Sequence, residues 1–270
     1  MSPSATRPQI PGAVPLRILT YNVHRCLGLD RRYSPQRIAS VIAESGADVI
    51  ALQEIDAHRP RSGHVDQAME IAEALKMQVH FFPALRLEEE LYGDAVLSTY
   101  PMRLVKAASL PRPPGRLWEE RGALWVEIDL GAARLQVVNT HFGLRDRERR
   151  MQAEVIMGPE WFARPDMRPP AVLLGDFNSV PDSAAYRRLT TDLRDAQRLI
   201  ERPPRATFPT RFPLLRLDHV FLYGDIAVRD VTLLRSRTAR IASDHVPLSV
   251  DLTIPAETKV AVPEGMDIGA

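Results

Sequence analysis

The run AVLLGDFN at residues 171–178 joins four apolar residues to a glycine, then to an acid and an amide. An apolar run of that length closed by Gly reads as a buried strand. Asp176 and Asn178 lie two apart, so they share a face where the strand ends. The same arrangement recurs along the chain. Leu16–Val23 carries Asn22 and continues to His24, and Asp48–Gln53 runs into Glu54. Leu135–Thr140 carries Asn139 and runs into His141. Asp218 opens the run that continues through His219–Leu222, and Ser243-Asp244-His245 stands just before Val246–Leu252. Ala95–Thr99 and Ala123–Ile128 complete the set of strand-length runs.

Helical patterns are fewer. Ser34-Pro35 reads as an N-cap followed by proline at the first helical position. That helix places Ile38, Val41 and Ile42 on one face and ends near Gly46. Asp66 caps a second, with Ala68, Ile71, Ala72 and Leu75 on its apolar side; a third covers Arg147 to Phe162, and a short one follows Pro181-Asp182. Strands outnumber helices and many adjoin one another, which points to stacked sheets with helices outside more than to a regular βαβ alternation. Proline-dense connections at 111–114, 165–170 and 203–213 are stiff loops of the kind that shape a substrate mouth, or plain surface linkers.

The chain has 270 residues, 45% hydrophobic and 26% charged, with a net charge of +1. No repeat and no linker divides it, so we expect one globular unit over 16–254, with flexible tails at 1–15 and 255–270. Disorder and collagen are excluded by composition. One cysteine, Cys26, rules out an internal disulfide and zinc sites built on several thiolates. No apolar stretch approaches a membrane span, and prolines occupy the N-terminus where a signal peptide needs an apolar run. A monomeric, soluble protein of the reducing cytoplasm is the expectation. Near-zero net charge names no partner, since proteins that hold DNA mainly through phosphates are usually basic.

Acids, amides and histidines gathered at strand ends suit hydrolysis at phosphorus with a hard divalent cation. Carboxylate and amide oxygens are the ligands Mg²⁺ or Mn²⁺ prefers. The metal offsets the charge of an anionic ester and steadies the leaving oxygen. A histidine held by a buried aspartate supplies a base or an electrostatic clamp, and a second histidine or an asparagine can stabilise phosphoryl charge. Zinc is disfavoured, because no HExxH spacing occurs.

The ordered set TYNVH (20–24), LQEID (52–56), YGDAVLS (92–98), RGAL (121–124), VNTHF (138–142), LLGDFN (173–178), LDHVF (217–221) and SDHVPL (243–248) resembles the endonuclease/exonuclease/phosphatase superfamily, in the manner of its short bacterial members. The resemblance spans residues 20 to 248. It implies an α/β fold of four layers, two mixed β-sheets packed face to face with helices outside, as in DNase I, with the site at one end. By the same resemblance Glu54 binds the metal, assisted by Asn22, and Asp244 is a further metal-facing carboxylate. Asp176 and Asn178 orient or activate the attacking water and contact the phosphate. His245 is the catalytic histidine and Asp218 orients it, while His141 stabilises phosphate charge or protonates the leaving group. Either His245 or Asp176 could be the base. His24, Asp94, Tyr92 and Arg121 are site neighbours, Arg121 as a bidentate phosphate partner and His24 as either a phosphate contact or a structural residue. His219 would point to the face opposite Asp218 and reads as structural; Trp118, Trp125 and Phe208 read as packing residues, and Cys26 has no catalytic role.

The expected reaction is metal-dependent phosphoester hydrolysis, with Mg²⁺ or, in its place, Mn²⁺. Nucleic acid is the first substrate expectation, reached by arginines at 112–116, 145–150 and 202–216. The alternative is an inositol phosphate or phospholipid, met by the apolar and cationic lip of Phe208, Arg211, Phe212, Leu214, Leu215 and Arg216. A non-catalytic binding module is a remote third reading, disfavoured because Glu54, Asp176, Asp218, Asp244 and His245 are all present.

Overall fold

A computed structural model describes residues 12–87, 90–115 and 119–256. The chain runs β1 (Ala13–Asn22), α1 (Pro35–Ser45), β2 (Val49–Ala57), α2 (Gln67–Leu75), β3 (Gln78–Leu87), β4 (Glu90–Ser98), β5 (Met102–Ser109), β6 (Gly122–Asp129) and β7 (Arg134–His141). It continues through α3 (Asp146–Ile156), β8 (Ala171–Asp176), α4 (Ala184–Leu189), β9 (Arg194–Asp195), β10 (Asp218–Tyr223), β11 (Ala227–Leu233), α5 (Ala239–Ala242) and β12 (Leu248–Pro255). The strands form two six-stranded sheets, β11-β12-β1-β2-β4-β3 and β5-β6-β7-β8-β10-β9. Each is mixed: β1 and β2 are parallel, as are β7 and β8, and the other neighbours are antiparallel.

Alternation along the strands builds the layers. Leu16 and Ile18 of β1 meet Val137, Val172, Leu174 and Val220 of the other sheet in a core between the sheets. Leu19 and Tyr21, on the opposite face, pack against Ile38, Val41 and Ile42 of α1 and Ile71 of α2. Leu173 and Phe221 likewise pack outward against Ile156 of α3 and Tyr186 and Leu189 of α4. The result is the four-layer sandwich implied by the resemblance. Trp125 is a core residue of its outer layer, as expected; Trp118 and Arg116 lie outside the described residues.

The helix signals act as read. Ser34 accepts from the Arg37 N–H at 3.1 Å, Pro35 opens α1, and Gly46 closes it in the left-handed region at φ 60°. Asp66 accepts from Met69 N–H at 3.0 Å to cap α2. The third helix is shorter than expected and stops at Ile156, before Gly158. Strands β3, β5, β9 and β11 were not expected. All four are sheet edges; β9 has only two residues and β5 is half-exposed and carries Arg103 and Lys106, so no continuous apolar run marks them. Proline 83 interrupts the third strand where its register against β4 shifts. The ordered sheet also extends past the expected boundaries: residues 13–15 pair with β12, Ala13 opposite Pro255. The remainder of the expected tails, 1–11 and 257–270, lies outside the described residues. Among the described residues no helix is long and apolar enough to cross a membrane.

Candidate active site

Strand register brings the acids together. His141 lies opposite Asp176 across the β7–β8 pair, and Asp176 lies opposite Asp218 across β8–β10. Three adjacent strands thus end in three functional side chains on the face turned toward the other sheet. Gly175 is what permits this closeness: at φ 148° its Cα faces the Thr140 carbonyl of β7, with no room for a Cβ. From the facing sheet comes Asn22 at the end of β1. Its Nδ2 donates to Glu54 Oε1 and to Asp176 Oδ2, both at 3.0 Å.

Glu54 reaches that position through a bulge. The β2–β4 register shifts between Leu52 and Ile55, and Glu54 takes φ 61°. A bulge adds a residue and re-aims the side chain beside it, which turns Glu54 toward the cleft. Asn178 (φ 46°) and His24 (φ 47°) also sit in the left-handed region, so strained backbone gathers at this end of the sandwich. Asn22 is oriented from below, because its Oδ1 accepts the His24 backbone N–H at 3.0 Å. A backbone N–H can only donate, so the amide NH₂ is the group left to face the carboxylates.

His245 enters from the loop before β12. Ser243 Oγ donates to the Asn22 carbonyl at 2.8 Å and fixes that loop to β1. His245 Nδ1 lies 2.9 Å from Asp218 Oδ2, and Nε2 lies 3.6 Å from Asp176 Oδ2. Burial works against a charged ring here, but Asp218, Asp176 and Asp244 outweigh it and raise the His245 pKa well above the usual range. Burial also lifts the Asp176 carboxyl, opposed by His245 and reinforced by Asp218.

His141 behaves differently. Its Nδ1 accepts from Arg121 Nη1 at 2.9 Å, leaving Nε2 toward Asp176 Oδ2 at 3.4 Å. Burial, then the charges of Arg121 and His245, hold it well below the ordinary value, so it is neutral. Asn178 Nδ2 donates to the Phe142 carbonyl at 2.9 Å and touches His141 Nε2 at 3.1 Å. Asn178 N–H donates to Asp176 Oδ1 at 2.8 Å.

The cleft over these groups has a volume of about 490 Å³. Glu54, Tyr92, Arg121, His141, Asp176, Asn178, Asp244 and His245 line it. Tyr92 is buried with Arg61 5.5 Å from its ring centre, and burial followed by Glu54 raises its phenol, so it presents O–H. Arg121 is also buried, but Nη1 goes to His141 and Nη2 to Glu119 Oε2 at 2.7 Å. The bidentate phosphate grip expected of it is therefore engaged elsewhere, and Arg121 orients His141. Asp94 is 2% exposed; burial, against Arg121 and with Glu54 and Asp176, lifts its carboxyl well above the usual range. His24 Nδ1 stands 3.8 Å from Asp244 Oδ1, while its Nε2 meets Arg25 at 2.5 Å. Phe208 packs on the His245 ring with centroids 4.8 Å apart.

Several cleft residues escaped sequence reasoning. Arg25, Glu119, Leu144 and Leu217 line it; Leu215, which lines it too, belongs to the expected lip. Only the position of Arg25 and Glu119 near expected site residues could have flagged them. Asn139, paired with His141 by spacing, is instead a tie between sheets: its Nδ2 donates to the Leu52 and Ala95 carbonyls, and its Oδ1 accepts from Gln53. Cys26 is fully buried, and burial raises its thiol well above the usual range.

The donors fit a hard cation. Asp176 and Asp218 offer carboxylate oxygens within 4.8 Å of each other and of the His245 ring, and Asp218 Oδ1 is buried without a hydrogen-bond partner. Glu54 and Asp244 add oxygens at the cleft surface.

A face-to-face sandwich carrying this constellation at its strand ends defines a hydrolase of phosphate esters. The chain belongs to the Endonuclease/Exonuclease/phosphatase family, which it matches over residues 19–245. Protein YbhP of Escherichia coli K12 is 28% identical over 247 residues, covering 87% of this chain and 95% of that protein. An endonuclease/exonuclease/phosphatase of Beutenbergia cavernae shares the fold with a TM-score of 0.72 and 24% identity, over 89% of this chain and 72% of the other. A mannosyl-6-phosphatase of Bacteroides thetaiotaomicron does so with a TM-score of 0.70 and 20% identity, over 88% and 99%.

Proposed function

We propose that the protein is a divalent-cation-dependent phosphodiesterase that takes Mg²⁺ or Mn²⁺, with the carboxylates of Glu54, Asp244, Asp176 and Asp218 as the groups that would hold the cation and protonated His245 as a group that would meet the reacting phosphate. The observation that carries this reading is the convergence of Asn22, Glu54, His141, Asp176, Asn178, Asp218 and His245 on one cleft. When bound, the cation offsets phosphate charge and steadies the leaving oxygen.

The protein's own groups divide the remaining work. His245 carries a proton and is clamped by Asp218, so it stabilises phosphoryl charge and can donate. Asp176, with its carboxyl raised by burial, is the group we assign to accept the proton of the attacking water. Neutral His141, oriented by Arg121, presents Nε2–H to a phosphoryl oxygen. Asn22 keeps the Glu54 and Asp176 carboxylates side by side.

On substrate, nucleic acid was the first expectation. Many of the arginines invoked for it are engaged: Arg112 with Glu120, Arg150 with Asp146, Arg202 with Asp230 and Arg216 with Asp195. Around the mouth, by contrast, Leu144 and Leu215 are exposed apolar side chains. We therefore place a lipid or other small phosphodiester ahead of nucleic acid, with the reducing cytoplasm kept as the expected compartment. The test is hydrolysis of bis(4-nitrophenyl) phosphate by purified protein with Mg²⁺ or Mn²⁺. Turnover that vanishes with chelator and returns with metal supports the reading; metal-independent turnover, or none in the presence of either cation, contradicts it.

A further inference from the structure

The segment Thr210–Leu215 stands as a ridge between two cavities. On one side is the active-site cleft, lined by Phe208, Leu215 and Leu217. On the other is a second cavity of about 330 Å³, lined by Thr210, Arg211, Phe212, Leu234, Arg235 and Arg240. The ridge is closed at its base, where Phe208 and Leu215 pair: Leu215 N–H donates to the Phe208 carbonyl at 2.8 Å and Phe208 N–H to that of Leu215 at 2.9 Å. Thr210 N–H donates to the Asp244 carbonyl at 2.8 Å, and Val246 N–H to that of Thr207. The loop is thus fastened to both residues that flank His245.

What the ridge presents is unusual for a surface loop. Phe212 is 76% and Leu214 80% exposed, with Leu215 and, across the cleft, Leu144 also exposed. Large apolar side chains clustered on one rim mark an interaction site more often than isolated ones do. Beside them Arg211, Arg235 and Arg240 are exposed and none is in an ion pair with a described carboxylate. No carboxylate lines the second cavity. Arg205 lies near enough to Arg235 and Arg202 for their charges, after burial, to oppose its own.

We propose that the Thr210–Leu215 ridge docks on an anionic phospholipid surface, Phe212 and Leu214 entering the acyl boundary while Arg211, Arg235 and Arg240 meet headgroup phosphates. Apolar side chains flanked by cations are the combination that holds a protein in that interface. A nucleic acid would satisfy the arginines but leave both tip side chains in water. Because the ridge is tied to the residues on either side of His245, docking would set the cleft mouth against the headgroup layer. The inference rests on the phosphodiesterase reading for its consequence, lipid-headgroup hydrolysis, and stands apart from it as a binding event.

The test is co-sedimentation of the full chain with vesicles of equal parts phosphatidylglycerol and phosphatidylcholine, against vesicles of phosphatidylcholine alone. Phe212→Ser/Leu214→Ser and Arg211→Gln/Arg235→Gln/Arg240→Gln are compared with wild type, and bis(4-nitrophenyl) phosphate turnover is followed in parallel. We expect wild type to pellet with the anionic vesicles and each variant to bind about tenfold more weakly or worse, with soluble-substrate turnover unchanged. Wild type that stays in solution, or variants that bind as wild type does, would overturn the docking surface while leaving the hydrolase reading intact. Binding of duplex DNA, in place of vesicles, that both variants lose would overturn it in favour of nucleic acid. Vesicle binding lost in the variants but without any diester turnover would support docking and remove the hydrolase reading.

Discussion

Two buried histidines, one held by Asp218 and the other its neighbour in the chain, show how this molecule separates chemistry from packing. Asp218 and His219 are consecutive on β10, so one faces the space between the sheets and the other the helices outside. Asp218 holds His245, and despite burial the surrounding carboxylates push that ring up to about 10. His219 is as deeply buried, yet burial and then Arg216 push it down to about 3. Its Nε2–H donates to the Ser179 carbonyl at 2.8 Å, and Arg216 donates to Nδ1 at 3.2 Å. Phe177, Tyr186 and Phe221 rings surround it at 5.8, 5.2 and 5.3 Å. Asp195, the nearby acid, is already occupied by Arg216 and by the Tyr186 hydroxyl at 2.6 Å. Burial is common to both histidines; the charges next to each decide which one is protonated. That contrast is why we assign the reaction to the space between the sheets, where acids from adjacent strands converge.

The comparison breaks most easily at its charged member. His245→Ala should lower turnover of a soluble diester by about 10³-fold, within the range a positioned acid–base group contributes, with the circular-dichroism melting profile retained. Glu54→Gln should weaken the cation next. Loss of an outer partner typically costs about 10–100-fold in metal affinity, so loss of a ligand should reach about 100-fold or more by Mn²⁺ titration calorimetry. Arg121→Lys should act more mildly, about tenfold in kcat with little change in KM, because a lysine keeps the charge but not the planar grip on His141 and Glu119. Equal loss of KM would instead make Arg121 a substrate-binding group.

The neutral member should affect stability and leave turnover alone. His219 has a folded pKa of about 3 against 6.5 for the free side chain. Between those values the unfolded chain binds the proton that the folded one refuses. The stability contributed by the neutral ring is therefore full above pH 6.5 and is lost as pH falls toward 3. At 1.36 kcal/mol per pKa unit, the loss by two units below 6.5 is about 2–3 kcal/mol. His219→Gln keeps a donor for Ser179 and an acceptor for Arg216, so urea unfolding across that pH window should show a shallower fall than wild type. An identical slope would mean His219 is not the buried neutral group described here.

Much of this contrast was legible before the fold. The period of two on β10 already assigned Asp218 and His219 to opposite faces, and the acids and amides at strand ends marked the cleft. The rest depends on contacts between distant residues. Glu54 reaches the site through a bulge that its own run of residues does not announce. Arg121 turns from phosphate partner to His141 support only once β6 and β7 pair, and Asn139 shares the face of His141 yet spends its amide joining the sheets. The edge strands β3, β5 and β11 are half-exposed or broken by proline, so their hydrophobic pattern is weak where sheet pairing is strong. Phe212 and Leu214 were legible as part of an apolar and cationic lip, but their place on a ridge between two cavities, tied to the residues flanking His245, depends on the fold.

The most direct measurement compares His245→Ala and His219→Gln side by side for metal-dependent hydrolysis of bis(4-nitrophenyl) phosphate at neutral pH. We expect the first to fall to the chelator-treated background and the second to keep turnover within about threefold of wild type, far less than a positioned acid–base group contributes. Comparable loss in both, or full activity in His245→Ala, would contradict the assignment of the reaction to the cluster between the sheets.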